Sequence, residues 1–269
     1  MKHADRYGPW ALVTGASDGI GRALATEIAA TGINVVVCAR SQHRLEALAA
    51  ELRSDHGIET RVLTADLCHR SDVDKVVEQT AALDIGMVVL AAGFGTSGAL
   101  GSTPLQEELD LIAVNISAVL HLSHTFAGRL VARGSGALVL FGSIVGWQGV
   151  PGQANYAASK AYAQSLAEGL HHELSPSGVD VLAVAPGPVR SGFGARAGLT
   201  MSSGERPEVV AAATVRALGR RTVIPGARGK FLTAALRPLP RSARSRILGK
   251  VIAGMRETDV SAPEQTLRH

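Results

Sequence analysis

Tyr156 and Lys160 stand four residues apart in a stretch of helical composition that begins near Asn155, so on a helix their side chains share one face. A free phenol titrates near pH 10. A cation beside it favours the phenolate and lowers that value, which makes Tyr156 a candidate general acid and base near neutrality. Upstream, Ser143 closes the apolar run 137–142, which has the pattern of a buried strand, and a Gly/Pro-rich loop joins it to the tyrosine segment. A strand would thus deliver a hydroxyl and a helix a phenol, an arrangement able to hold a carbonyl or alcohol oxygen during proton transfer. Tyr and Lys at this spacing also occur on solvated helices, so the pair needs a second signal.

That signal is the stretch Gly15-Ala-Ser-Asp-Gly19-Ile-Gly21, set between the apolar run 10–14 and a helical segment from Arg22 to Thr31. Strand, glycine turn and helix together let the backbone approach a pyrophosphate, and the helix N-terminus turns free N–H groups toward its oxygens. The spacing is a variant of the dinucleotide fingerprint. Gly15, Ser17, Gly19, Ile20 and Gly21 are the expected phosphate-binding residues, with Thr14 lining the same turn. At the end of the second strand an NAD site places an acid for the ribose 2′-hydroxyl. Ala39 and Arg40 stand there instead, and a guanidinium pairs with a 2′-phosphate, so NADP(H) is the expected cofactor. Arg22 and Ser41 are weaker candidates for that phosphate.

The elements that must position these residues alternate along the chain. Further strands end at Asp66-Leu67, where Asp66 could accept from an adenine amino group, and at Ala92-Gly93, where small residues leave room for a cofactor. The segment 104–133 is expected to form one long helix or two in succession, with Asn115 inside it, where helices do not favour Asn. Another strand runs into Pro186-Gly187-Pro-Val189, whose turn could face the backbone of Val189 to a nicotinamide carboxamide. Phe193 to Arg206, rich in Gly and Ser, is expected to be a mobile lid. Six or seven strands alternating with helices predict an α/β, doubly wound Rossmann fold: a central parallel sheet of about seven strands in a single domain, with the ligand at the carboxyl ends of the strands.

The totals agree with this class. At 269 residues, with 46% hydrophobic and 19% charged residues, one compact core is expected. The chain start is short and polar and no apolar run approaches a spanning length, which predicts a cytoplasmic protein. Cys38 and Cys68 read as isolated thiols, and without CxxC spacing or a His/Cys cluster no metal site is expected. No nucleic-acid partner is expected either. The net charge of +4 conceals an asymmetry: residues 209–269 carry 12 Lys+Arg against 3 Asp+Glu, and residues 1–208 carry 15 against 20.

Thr14-Gly15-(x)3-Gly19-x-Gly21, Asp66, Asn115, Ser143, Tyr156-(x)3-Lys160 and Pro186-Gly187 together resemble the short-chain dehydrogenase/reductase family over about residues 8–225. The resemblance implies an NADP(H)-dependent oxidoreductase acting on a small-molecule carbonyl/alcohol pair. Tyr156 would be its acid/base and Ser143 its substrate-positioning hydroxyl. Lys160 would bind the nicotinamide ribose and lower the tyrosine pKa, and Asn115 would complete a proton relay through water. It also implies a homodimer or homotetramer paired through the long helices. The chain departs from the family where Leu90-Ala91-Ala92-Gly93 replaces Asn-Asn-Ala-Gly and where Ser191 replaces Thr. An NADP(H)-binding regulatory protein with incidental turnover is the alternative from another class.

Residues 8–226 are thus assigned to the catalytic domain and 227–269 to a basic amphipathic extension, with Leu232, Leu236, Leu239, Ile247, Leu248, Val251, Ile252 and Met255 interleaved with arginines. The extension is expected to pack on the domain with a solvated basic face; contact with an anionic membrane surface or an acidic carrier is the alternative. Family members with extended C-termini suggest a bulky, lipid-like substrate.

Overall fold

Strands rich in Val, Leu and Ile on both sides of the pleat belong in a sheet covered on both faces, and that is where they lie. A computed structural model describes residues 3–201 and 204–256. Its strands are β1 (Trp10–Thr14), β2 (Asn34–Ala39), β3 (Thr60–Thr64), β4 (Ile85–Leu90), β5 (Gly136–Phe141), β6 (Val179–Val184) and β7 (Thr222–Val223). They pair in the order β3-β2-β1-β4-β5-β6-β7, every pair parallel. The chain leaves β1 toward β2 and β3, then returns to the other side at β4. This reversal opens a crevice at the carboxyl ends of β1 and β4, where doubly wound sheets bind ligands.

The helices are α1 (His3–Tyr7), α2 (Gly19–Ala29), α3 (Gln42–His56), α4 (Arg70–Gln79), α5 (Leu105–Ile112), α6 (Val119–Arg133), α7 (Ala154–Leu174), α8 (Gly192–Arg196), α9 (Pro207–Arg216), α10 (Ala227–Leu236) and α11 (Arg241–Met255). Two buried clusters occupy the two faces of the sheet: Leu24, Ile28, Leu45 and Leu48 pack on one, Leu122, Phe126, Leu130 and Ala167 on the other. Most boundaries fall within a few residues of those expected from the sequence, the usual margin for frayed ends. The short α1 was not anticipated. Tyr7 Oη and the Arg6 guanidinium both reach Asp180, at 2.7 and 2.8 Å, and fasten α1 to the start of β6.

The segment from Leu105 to Arg133 is continuous but not uniform, because residues Ala113–Ala118 form a π-helical turn between α5 and α6. Its 29 residues have the length and composition of a spanning helix, with a mean hydropathy of 1.4 over the most apolar window, although no long apolar run marks it in the sequence. One side of it packs on the core through Leu111, Leu122, Phe126 and Leu130, while Leu105, Leu109, Ile112 and Leu120 are exposed.

The expected mobile lid has a different structure. Ser191 caps α8 by accepting from Phe193 N, Val189 and Glu205 form a parallel bridge, and Leu199 bridges Arg256. Ala197 and Leu199 are buried, so local pairing and core contacts fix most of the segment, while residues 202 and 203 lie outside the described residues.

Candidate active site

At the end of β1 the chain must turn sharply beside β4, and only glycine fits. Gly15 has φ +70°, and a Cβ there would lie 2.8 Å from the backbone of Ala92. A side chain at Gly21 would overlap the Gly15 carbonyl, and one at Gly19 would meet Ser191 at 2.8 Å. Asp18 secures the turn: its carboxylate accepts from Gly19 N at 2.7 Å and from Gly192 N at 3.0 Å, tying the N-terminus of α2 to α8. That second bond joins positions remote in sequence, and nothing in the sequence announces it. Ser17, Ile20 and the three glycines line a common cavity. Thr14 does not; it is buried behind the turn, where its hydroxyl accepts from Ala92 N at 3.1 Å and couples β1 to the end of β4.

Arg40 follows β2, half exposed on the cavity wall, with Asp66 3.9 Å away across the end of β3. Asp66 also accepts from Cys68 N, which fixes the turn after β3. Leu67, Ala92 and Gly93 line the same wall. Of the weaker phosphate candidates, Ser41 reaches the cavity and Arg22 does not, because Arg22 is paired with Glu51. Arg44, on the first turn of α3, lines the cavity instead and was not singled out from the sequence.

Ser143 leaves β5 in extended conformation and caps the 3-10 turn Ile144–Trp147; its Oγ donates to Pro186 O at 3.3 Å. Tyr156 lies on the first turns of α7, its ring 5.5 Å from that of Phe193, and both Ser143 and Tyr156 face the cavity. Lys160 and Asn115 do not contribute to the lining. They stand behind Gly93, where a Cβ would lie 3.0 Å from Asn115 Oδ1 and 3.3 Å from Lys160 Nζ. The π-helical turn carries Asn115 inward. Its Nδ2 donates to Phe94 O at 2.9 Å and Ser159 Oγ at 3.0 Å, and its Oδ1 accepts from Phe94 N at 3.2 Å. Ser159 in turn donates to Tyr156 O at 2.8 Å, a link hidden among small helix residues in the sequence.

The electrostatics differ from the expectation that Lys160 makes Tyr156 acidic. Burial pushes the Tyr156 phenol well above its ordinary value, and the hydrogen bond with Ser143 offsets only part of that. Lys160 Nζ is 5.7 Å from the ring centroid and donates to Phe141 O at 3.1 Å. Burial pushes its own pKa down to about 8, so in the protein alone desolvation outweighs the cation.

Beyond Tyr156 the cavity, about 590 Å³ in all, is roofed by the C-terminal helices. Leu232 of α10 and Leu248, Val251, Ile252 and Met255 of α11 line it. Leu236, Leu248 and Ile252 are buried in one cluster with Tyr156 and Val145, so these apolar residues of the extension turn toward the start of α7. The tail closes further at Thr200 N, which donates to Met255 O at 2.7 Å. Residues 257–269 of the extension lie outside the described residues. Glu108 is another group the sequence did not reveal: buried, it accepts from Asn155 Nδ2 at 2.7 Å and from Thr103 Oγ1 at 2.9 Å, and so anchors the start of α7.

The residues present fit a dinucleotide. Glycines occupy the positions where any side chain would fill the turn before α2, and Pro186, Gly187 and Val189 line the opposite wall. Comparison with known proteins gives the same result. Residues 9–201 match the family model described as short chain dehydrogenase. A 7beta-hydroxysteroid dehydrogenase of Clostridium sardiniense is 34% identical over 70% of this chain and 72% of its own. A very-long-chain 3-oxoacyl-CoA reductase of Meyerozyma guilliermondii is 33% identical over 86% of this chain and 70% of its own. A short-chain dehydrogenase from Sphingobium yanoikuyae, solved in complex with NADPH, superposes with a TM-score of 0.77 at 32% identity, covering 96% of this chain and 99% of that one.

Proposed function

The chain belongs to the short-chain dehydrogenase family, and from that premise we propose that it is an NADP(H)-dependent oxidoreductase acting on a bulky, apolar carbonyl/alcohol pair. One observation carries the reading: the glycine turn, Arg40, Ser143 and Tyr156 open on a single cavity whose far side is apolar. In this reading Gly15, Ser17, Gly19, Ile20 and Gly21 hold the pyrophosphate, and Asp66, Leu67, Ala92 and Gly93 flank the adenosine and the sheet edge. Pro186, Gly187 and Val189 bound the nicotinamide. Arg40, aided by Ser41 and Arg44, takes the 2′-phosphate in the absence of an acid at the end of β2.

The nicotinamide, when bound, exchanges hydride with the substrate carbon. The protein handles the proton. Ser143 Oγ donates to the substrate oxygen and holds it beside Tyr156 Oη, which gives up its proton in reduction and takes one in oxidation. Lys160, when charged, favours the phenolate; its contact with the nicotinamide ribose and the water relay through Asn115 rest on the family resemblance alone, since both side chains lie behind Gly93, off the cavity lining. A bulky substrate is supported by the side chains of α10 and α11 over the cavity and by the names of the two relatives. The same reading makes the protein cytoplasmic and a homodimer or homotetramer, consistent with Leu109, Ile112 and Leu120 exposed on the long helix.

The test is a fluorescence titration with NADPH and NADH of the wild type and Arg40→Ala. Tighter binding of NADPH, weakened about ten-fold in the variant while NADH is unaffected, is expected from the loss of charge-assisted bonds. Equal affinities that the substitution leaves unchanged would defeat the phosphate role of Arg40.

A further inference from the structure

The α10–α11 hairpin has a cavity on each side. The second, about 290 Å³, lies between the hairpin and the 3-10 turn that follows Ser143, and its size is at the lower end of small-ligand sites. Trp147, Ile224 and Leu236 give it an apolar floor, and Ile144, Leu232 and Leu248 line both this cavity and the first.

Gln148 Nε2 on its wall donates to Ile144 O and Val145 O, but other polar groups there keep bonding capacity. Thr233 Oγ1 is buried without a hydrogen-bond partner. The helical threonines Thr26 and Thr214 behave differently: each donates to the carbonyl four residues back. A buried hydroxyl left unpaired is unfavourable and calls for an explanation. Two arginines stand on the same wall. Arg244 uses Nε to donate to Leu239 O at 3.1 Å, and neither its guanidinium nor that of Arg237 meets a carboxylate among the described residues.

We propose that this second cavity binds a small amphiphilic carboxylate, its chain on the apolar floor, its head between Arg237 and Arg244, with Thr233 Oγ1 donating to it. A purely apolar ligand would leave the hydroxyl unpaired, and an inorganic anion would leave the floor unused. Because Leu232 and Leu248 face both cavities, an occupant would also stiffen the wall of the substrate cavity.

Calorimetric titration of the full chain with sodium decanoate, below its micellar concentration, tests this. One saturable site is expected. Arg237→Gln should weaken binding about ten-fold and Thr233→Val a few-fold, and neither change removes a bond the fold uses. Val251→Trp, which fills only the first cavity, should leave binding unchanged. Absence of saturable binding, indifference to Arg237→Gln, or loss of binding in Val251→Trp alone would each overturn the proposal. Since binding is read without turnover or nucleotide, failure here would leave the proposed oxidoreductase standing.

Discussion

At the glycine-turn end of the first cavity part of the wall is main chain: Gly15, Gly19, Gly21 and Gly93 bring backbone to the surface beside the side chains of Arg40, Arg44 and Asp66, held by the parallel ladder beneath. At the apolar end, where we propose the substrate binds, the walls are side chains: Phe94 after β4, Phe193 on α8, and Leu248, Ile252 and Met255 from a helix near the other end of the described chain. A backbone wall is specified by a few residues in one turn and admits little substitution. A side-chain wall can be redrawn residue by residue while the sheet stays as it is. The family's common cofactor suits the first kind of wall, and a substrate that differs from relative to relative suits the second.

The largest effect is expected at the seam between the two ends. Tyr156→Phe keeps the ring against Phe193 and removes the hydroxyl to which we assign the proton transfer. Turnover should fall by about 10²–10⁴, the usual worth of a positioned acid/base, with nucleotide affinity unchanged. Steady-state kinetics beside a binding titration checks both. Full turnover in the variant would remove Tyr156 from the mechanism. Next comes the backbone wall. Gly21→Ala puts a methyl against the Gly15 carbonyl, so NADPH and NADH should both lose at least about ten-fold in affinity, with a loss of stability of about 1–3 kcal/mol. A variant that binds normally would show that the turn can yield.

The same contrast explains what the sequence made legible. The strands and the glycine turn were readable because apolar runs, Gly15 and Gly21 act locally, each residue's role being set by neighbours a few positions away; the order of the strands, which joins distant segments, was not. The spacing of Ser143 and Tyr156 on adjoining elements put them on one cavity, whereas Asn115 was singled out only through the family resemblance, and it lies in a π-helical turn. The bonds from Asp18 to Gly192 and from Glu108 to Asn155 were hidden because they join distant segments. The electrostatics were misread for a related reason. The four-residue spacing places Lys160 near Tyr156, but the pKa values follow from burial among residues brought in by β5 and α8, which spacing does not report. The C-terminal extension showed its amphipathic pattern without showing that its apolar side covers Tyr156.

At the side-chain wall the expected effects are smaller and selective. Met255→Ala shortens one lining group at a partly exposed position. For a bulky apolar ketone, kcat/KM should fall by about three- to ten-fold, through KM, while nucleotide affinity holds. A fall in nucleotide affinity of the same size would mean that the two ends are not independent, and the comparison between them would fail.

The subtlest test concerns the lysine behind the seam. Burial lowers the Lys160 pKa in the folded protein to about 8, below the roughly 10.4 of an unfolded chain. Between those values the unfolded state holds a proton that the folded state has lost, so stability must rise with pH across that window. Comparing wild type with Lys160→Met isolates the contribution, because Tyr156, whose pKa is shifted upward, is present in both and cancels. The stability difference between wild type and variant should therefore move in favour of wild type from pH 8 to 10, with a slope of up to ~1.4 kcal/mol per pH unit. Denaturant unfolding at several pH values measures it. A flat difference would mean that the bond to Phe141 O keeps the ammonium charged despite its burial. Lys160 would then be a fixed cation beside Tyr156, and the sequence expectation of an acidified phenol would regain its physical basis.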